Sequence, residues 1–449
     1  MSPAPARRFA AMPFAIGPAS FDAAAGVARL TFAYPGHHEF TETIDFGVPP
    51  VALSDEQVKA VHHVLPFLSA AAAISYYKAF MPAYVDGVSL GPDTARFFKK
   101  FYQGGLGEFA YRNDIDISGF SFFNAGGKDV AANAIALPRK SAVMIGGGKD
   151  SLVSIETLRA SGENMVLLAV NPAKPIRECI AASGLPAITI TRTIDPRLFA
   201  LNEQGAYNGH VPITGILSFV AAATAIIHGF DTIILSNERS ANEPTVGDVN
   251  HQYSKSGAFE RDFQVFIRAH MLTHLNYFSL LRPMSELNIA QAMARETRYD
   301  DVFTSCNKAY SITRPMVDQR WCGECPKCLF VFLALALATA MPVDRLVNIF
   351  GKNVLNDAAL LGGYRELSGL AGQKPWECVG EILESAAALY HLSTLPAWRD
   401  FMVVKTLCSE LEMQYGVDKL QGAYQTALTF SDDHEVPEIY LKALKSHVR

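Results

Sequence analysis

Residues 141–156 read Ser141-Ala-Val-Met-Ile-Gly-Gly-Gly-Lys-Asp-Ser-Leu-Val-Ser-Ile-Glu156. The opening five residues predict a short buried strand. Leu152, Ile155 and Leu158 then recur at near-helical spacing, and Gly162 marks the expected stop of that helix. Between strand and helix lie Gly146, Gly147, Gly148, Lys149, Asp150 and Ser151. Glycines let backbone N–H groups approach an oxyanion closely, and the helix start adds the positive end of its dipole. Lys149 offers a cation and Ser151 a hydroxyl donor. The pattern predicts a phosphate cradle.

Two common cradles do not fit. A Walker loop has Ser or Thr directly after its Gly-Lys, and here Asp150 intervenes. A dinucleotide fingerprint needs a third glycine where Ser151 stands. The stretch resembles instead the pyrophosphate-binding loop of the PP-loop ATP pyrophosphatase superfamily, Ser-Gly-Gly-x-Asp-Ser, with Gly146 in place of the leading serine. The resemblance implies that residues 146–151 hold the phosphates of ATP while AMP passes to an acceptor. It makes Lys149 and Asp150 part of the catalytic set.

A chain of 449 residues exceeds what one hydrophobic core supports, so two or three domains are expected. With 49% hydrophobic and 18% charged residues the composition is that of a folded protein. The net charge of −5 counts against a nucleic-acid partner. The longest apolar run, residues 329–341, is shorter than the ~20 residues of a bilayer span and reads as a buried helix. Arg7-Arg8 and the apolar residues 9–16 imitate a signal peptide weakly, and Pro13 interrupts them. No membrane association and a cytoplasmic location are expected.

Residues 1–135 predict an N-terminal α+β module that holds or shapes the acceptor site. Residues 27–34 and 39–46 alternate around Pro35-Gly36 as a hairpin, and Ser54 caps a helix running to about residue 80. His62 and His63 fall on a mixed face of that helix. Residues 136–345 alternate strand and helix, which predicts a parallel sheet with ligands beyond its carboxyl ends. One loop there, residues 236–243, is unusually polar. Asn237 and Glu238 are candidate nucleotide-site residues, and Asp150 and Glu238 are candidates for Mg²⁺. Residues 346–449 read as helical, with a glycine-rich loop at 351–372. The expected class is α/β: a PP-loop (HUP-like) ATPase domain between the N-terminal module and the helical C-terminal region.

Seven cysteines, three of them within residues 322–328, suit a metal in a reducing compartment better than a disulfide framework. Cys306, Cys322, Cys325 and Cys328 follow the pattern C-x15-C-x2-C-x2-C. Four thiolates at such spacing suit a structural Zn²⁺, with an iron–sulfur cluster as the competing occupant. Cys179 and Cys408 read as core residues. The loop followed by this cysteine set resembles the 7-cyano-7-deazaguanine synthase branch, which implies activation of a carboxylate by adenylation.

Taken whole, the chain resembles the MurL family of UDP-N-acetylmuramoyl-L-alanyl-L-glutamate epimerases. The resemblance spans the N-terminal module, the GGGKDS loop, the Ser236-Asn-Glu-Arg-Ser-Ala-Asn242 segment, the cysteines and Lys374-Pro-Trp-Glu-Cys378. It implies a UDP-MurNAc-dipeptide substrate whose terminal L-glutamate is converted to D-glutamate through an acyl-adenylate, with AMP and pyrophosphate released, in peptidoglycan synthesis. The implied cofactors are ATP, Mg²⁺ and Zn²⁺. Inversion needs acid–base groups at the α-carbon, and the candidates are Cys378, His251, His210 and Lys255. Arg239, Arg261, Arg268 and Arg314 are candidates for the UDP phosphates. Other readings stand beside this one: an ATP-dependent ligase or nitrile synthase, a tRNA-modifying enzyme, and a zinc-ribbon adaptor.

Overall fold

The computed structural model describes residues 13–82, 84–310 and 319–448, so Arg314 and most of the signal-like stretch lie outside it. The strands are β1 (Phe14–Ile16), β2 (Ser20–Asp22), β3 (Val27–Tyr34), β4 (His38–Asp45), β5 (Tyr84–Asp86), β6 (Phe122–Phe123), β7 (Ser141–Met144), β8 (Met165–Val170), β9 (Ala187–Thr193), β10 (Thr232–Leu235) and β11 (Asn276–Ser279). They form one sheet in the order β11-β10-β7-β8-β9-β4-β3-β1-β5-β6, with β2 beside β3.

The half from β11 to β9 is parallel, as alternating strands and helices predict. Strands β7, β8 and β10 are apolar almost throughout because both faces are covered. Ala142, Val166 and Ile233 point into one core, while Val143, Leu167 and Ile234 point into another. The first core lies under the Asp55–Tyr77 and Ile213–His228 helices. The second holds the Lys149–Ala160, Glu286–Met293 and Pro326–Ala336 helices and the C-terminal helices. From β7 the chain moves outward to β8 and β9, then crosses back to β10 on the other side of β7. This reversal leaves a crevice beyond the carboxyl ends of β7 and β10, where ligands bind in open α/β sheets.

The other half is antiparallel at its seam. β4 pairs antiparallel with β9, matching Ile44 with Arg192, so the sheet runs unbroken across the boundary expected near residue 135. A buried ion pair locks the seam: Arg192 donates to both Glu42 carboxylate oxygens, at 2.7 and 3.0 Å, and to Ser75 Oγ at 3.1 Å.

Ser54 caps its helix as expected, accepting from the Gln57 N–H while the Gln57 side chain accepts from the Ser54 N–H. His63 bonds the His270 carbonyl at 2.8 Å, and His62 is exposed against Phe21. The Asp55–Tyr77 helix is long and apolar enough to cross a membrane by length and composition, but 72% of its apolar window is buried in the fold. The span 351–372 is not the simple loop expected, since residues Leu361–Leu367 form a helix. Cys179 is fully buried, whereas Cys408 is only half-buried.

Candidate active site

The predicted glycine loop sits in the crevice. Gly147 adopts φ +75°, the left-handed region in which a side chain is strained. Its carbonyl accepts from the Thr304 N–H at 3.2 Å. A Cβ on Gly148 would come within 2.9 Å of Ser305 Oγ, so a second segment lies directly on the loop. Tyr310 Oη donates to the Gly146 and Thr304 carbonyls, both at 3.0 Å. A Cβ on Gly146 would meet nothing within 4 Å. Gly148 then opens the Lys149–Ala160 helix with no side-chain cap on its first amides. A cavity of about 360 Å³ spreads from this point and is walled in part by Gly146, Gly148, Asp150, Ser151, Asn237 and Lys255.

Lys149 does not reach that cavity as its motif position suggests. It is buried between Asp150 and Glu286, with an ion pair to each. Burial favours the neutral amine, but the two carboxylates outweigh it and hold the ammonium. Glu286 lies 137 residues downstream, and nothing in the local sequence marks it. Asp150 keeps part of its surface on the cavity. Glu238 is buried and accepts from Ser240 Oγ at 3.2 Å. Arg282, 2% exposed, ties this region together. It donates to the Glu238 carbonyl at 2.8 Å, the Lys255 carbonyl at 2.6 Å and the Glu260 carboxylate at 2.8 Å.

Next to Lys255 stands the 374–378 segment, which does not itself line the cavity. Four of its side chains each reach a different partner. Lys374 pairs with Glu243. The Trp376 ring lies 5.2 Å from Tyr111, under the Arg112 guanidinium at 5.0 Å, and 6.1 Å from His251. Glu377 accepts from the Lys327 N–H at 3.3 Å. Cys378 Sγ accepts from Lys255 Nζ at 3.1 Å. Interaction with Cys378 is the main cause that raises the Lys255 pKa, against the opposing effect of desolvation.

His251 is buried, with Nδ1 on the Thr245 hydroxyl and Nε2 without a partner. Burial lowers its pKa to about 4, aided by Lys255, Lys374 and Lys327 and opposed by Glu108. It is therefore neutral at pH 7. His210 pairs with Glu108 at 3.2 Å, and burial again lowers its pKa. Of the arginines nominated for phosphates, Arg261 faces out to Asp433 at 3.2 Å, Arg268 is exposed, and Arg239 lies 3.8 Å from Glu381. None of these three lines the cavity.

The four cysteines come together. All are free thiols, and their sulfurs lie within 4.8 Å of one another. A tetrahedral Zn²⁺ with bonds of about 2.3 Å needs sulfurs about 3.8 Å apart. Cys306–Cys325, Cys322–Cys328 and Cys325–Cys328 are 3.9, 3.7 and 3.5 Å apart, so the thiol set fits such an ion. Gly323, at φ +67°, makes the turn between Cys322 and Cys325, and the Cys325 N–H donates to Cys322 Sγ at 3.3 Å. Among the described residues this is the only metal-competent group of three or more His, Cys, Asp or Glu.

Two sequence profiles match the chain: the MurL N-terminal domain over residues 6–280 and the MurL C-terminal domain over 302–421. The chain belongs to the MurL family. Three curated relatives each carry the name UDP-N-acetyl-alpha-D-muramoyl-L-alanyl-L-glutamate epimerase. The one from Xanthomonas oryzae pv. oryzae is 41% identical over 425 residues, covering 93% of both chains. That from Salinispora tropica is 41% identical over 403 residues, 86% of both. That from a Micromonospora species is 40% identical over 441 residues, 95% of this chain and 96% of the relative. The MurL N-terminal match ends one residue after β11, so it contains the whole sheet. The C-terminal match holds the four cysteines and the 374–378 segment. Thr304, Ser305, Asn307, Tyr310 and Lys327 of the cavity wall also fall in the C-terminal match, so the cavity is built by both MurL domains.

Proposed function

We propose that this MurL-family chain is an ATP-dependent epimerase that inverts the terminal glutamate of UDP-MurNAc-L-Ala-L-Glu. The observation that carries the reading is the Lys255–Cys378 pair at 3.1 Å, with Lys255 on the same cavity as the glycine loop. A candidate proton-transfer group thus lies one hydrogen bond away from a residue that shares its cavity with the candidate phosphate cradle.

An α-proton beside a carboxylate is hard to remove because a second negative charge would develop on the same group. In the proposed reaction a glutamate carboxylate oxygen attacks the α-phosphorus of ATP, and pyrophosphate leaves. The resulting acyl-adenylate has lost the carboxylate charge, so electrons of the broken C–H bond can pass into its carbonyl. Cys378 and His251 are the groups we assign to the α-proton, one removing it and the other returning a proton to the opposite face. Exchange with solvent resets both. Water then cleaves the adenylate and gives AMP and the D-glutamyl product.

The first amides of the Lys149–Ala160 helix, the glycine loop and the Ser151 hydroxyl suit the phosphates. Asp150 would hold Mg²⁺ at the cavity wall, together with Glu238; the ion's contribution is to neutralise phosphate charge. Tyr111, Arg112 and Trp376 offer flat and cationic surface for the nucleotide-sugar end of the substrate.

Incubation with ATP, Mg²⁺ and the L-glutamyl precursor in D₂O tests the reading. Deuterium at the glutamate α-carbon with equimolar AMP supports it. A new amide or nitrile without deuterium would favour the ligase or nitrile-synthase alternative, which the four-cysteine site also suits.

A further inference from the structure

Three lysines stand around the cavity, and their partners differ. Lys149 forms ion pairs with Asp150 and Glu286, and Lys255 donates a hydrogen bond to Cys378. Lys327 lines the cavity, and among the described residues its ammonium has no hydrogen-bond or ion-pair partner. Its field still reaches the site, since it opposes the upward shift of the Glu286 pKa that burial causes. A cation left unpaired on a cavity that also holds a helix start and a glycine loop is placed for an anion.

We propose that Lys327 is the cation that grips the nucleotide phosphates, and that the four-cysteine site is the device that positions it. The proposal rests on the adenylation reading above. Lys327 sits between Cys325 and Cys328, in the first turn of the Pro326–Ala336 helix. Its backbone is pinned on the other side by Glu377. Cys306 is the second half of the device. Its neighbours Ser305 and Asn307 line the cavity, and Thr304 bonds the Gly147 carbonyl. A metal held by these thiols would fix the Lys327 turn and the segment lying on the glycine loop as one unit. The motif lysine and the working cation are then different residues. Lys149 becomes the counter-ion that lets Asp150 and Glu286 sit side by side.

Calorimetric titration of ATP into the full chain tests this, with zinc content measured in parallel. One ion-assisted hydrogen bond contributes about 1.5–3 kcal/mol, which corresponds to about 10- to 100-fold in affinity. Lys327→Met is expected to lose that much ATP affinity with zinc content and thermal midpoint unchanged, and Lys327→Arg to retain most of it. Cys322→Ser is expected to lose both zinc and ATP affinity. Wild-type affinity in Lys327→Met would overturn the assignment of the cation. Wild-type affinity in a zinc-free Cys322→Ser chain would overturn the positioning role. Absence of any ATP binding by the wild-type chain would overturn this proposal together with the adenylation reading beneath it.

Discussion

Lys255 and Cys378 are 123 residues apart in the chain, yet Lys255 Nζ donates to Cys378 Sγ at 3.1 Å inside the fold. Lys255 is supplied by the MurL N-terminal domain and Cys378 by the C-terminal domain. The proposed adenylation and proton-transfer steps can therefore be separated by substitution. Cys378→Ala is expected to keep substrate-dependent AMP release while losing α-deuterium exchange by at least ~100-fold, the usual contribution of a positioned acid or base. Equal loss of both signals would remove Cys378 from the proton-transfer role.

The glycine loop makes a paired prediction. Gly147→Ala forces an L side chain into the left-handed region, at about 1–2 kcal/mol, and pushes on Tyr310 Oη. ATP affinity is expected to fall sharply. Gly146→Ser adds a hydroxyl donor in open space, and nucleotide affinity should be kept or improved. Isothermal titration of both variants checks the pair.

Arg282 and Glu260 are 2% and 3% exposed. Removing one member of a buried, hydrogen-bonded charge pair leaves the other uncompensated, at about 3–5 kcal/mol. Arg282→Met is expected to lower unfolding stability by that amount, read from urea denaturation. It should also loosen Glu238 and Lys255, whose carbonyls it holds.

That clamp shows where local sequence stops being informative. The Ser54 cap, the hairpin around Pro35-Gly36 and the strand–loop–helix at 141–156 were legible because each depends on neighbours within a few residues. Cys322, Cys325 and Cys328 were legible for the same reason, and Cys306 only because a fourth thiol was needed. Glu286, Arg282 and Lys327 carried no such signal. Their partners lie well beyond the reach of a local pattern, from 22 residues away for Arg282 and Glu260 to 137 for Lys149 and Glu286. Lys149 itself was read from the loop, and the tertiary fold adds a buried carboxylate partner, Glu286, that the local sequence does not mark.

His251 gives a pH dependence. Its folded pKa of about 4 lies below the ordinary histidine value near 6.5, so between those values the unfolded chain binds the proton that the folded chain refuses. Stability from this residue is complete above about pH 6.5 and drains away as pH falls toward 4. Urea midpoints measured from pH 7 to 4 should fall, and His251→Gln should flatten part of that slope.

Metal removal completes the set. One equivalent of zinc per chain is expected in purified protein, and Co²⁺ exchanged into the site should give the intense thiolate charge-transfer absorption of a tetrahedral sulfur set. Chelation is expected to lower the thermal midpoint. An iron chromophore as isolated would reverse the assignment of the ion.

The pairing of β4 with β9 also bears on how this protein can be cut. An expression fragment beginning near residue 136 would strip β9 of its neighbour and strand Arg192 without Glu42 or Ser75. The bared strand edge would be a template for self-association. Trimming the first third of the chain should therefore yield insoluble aggregate, and a minimal nucleotide-binding fragment must begin ahead of the first hairpin.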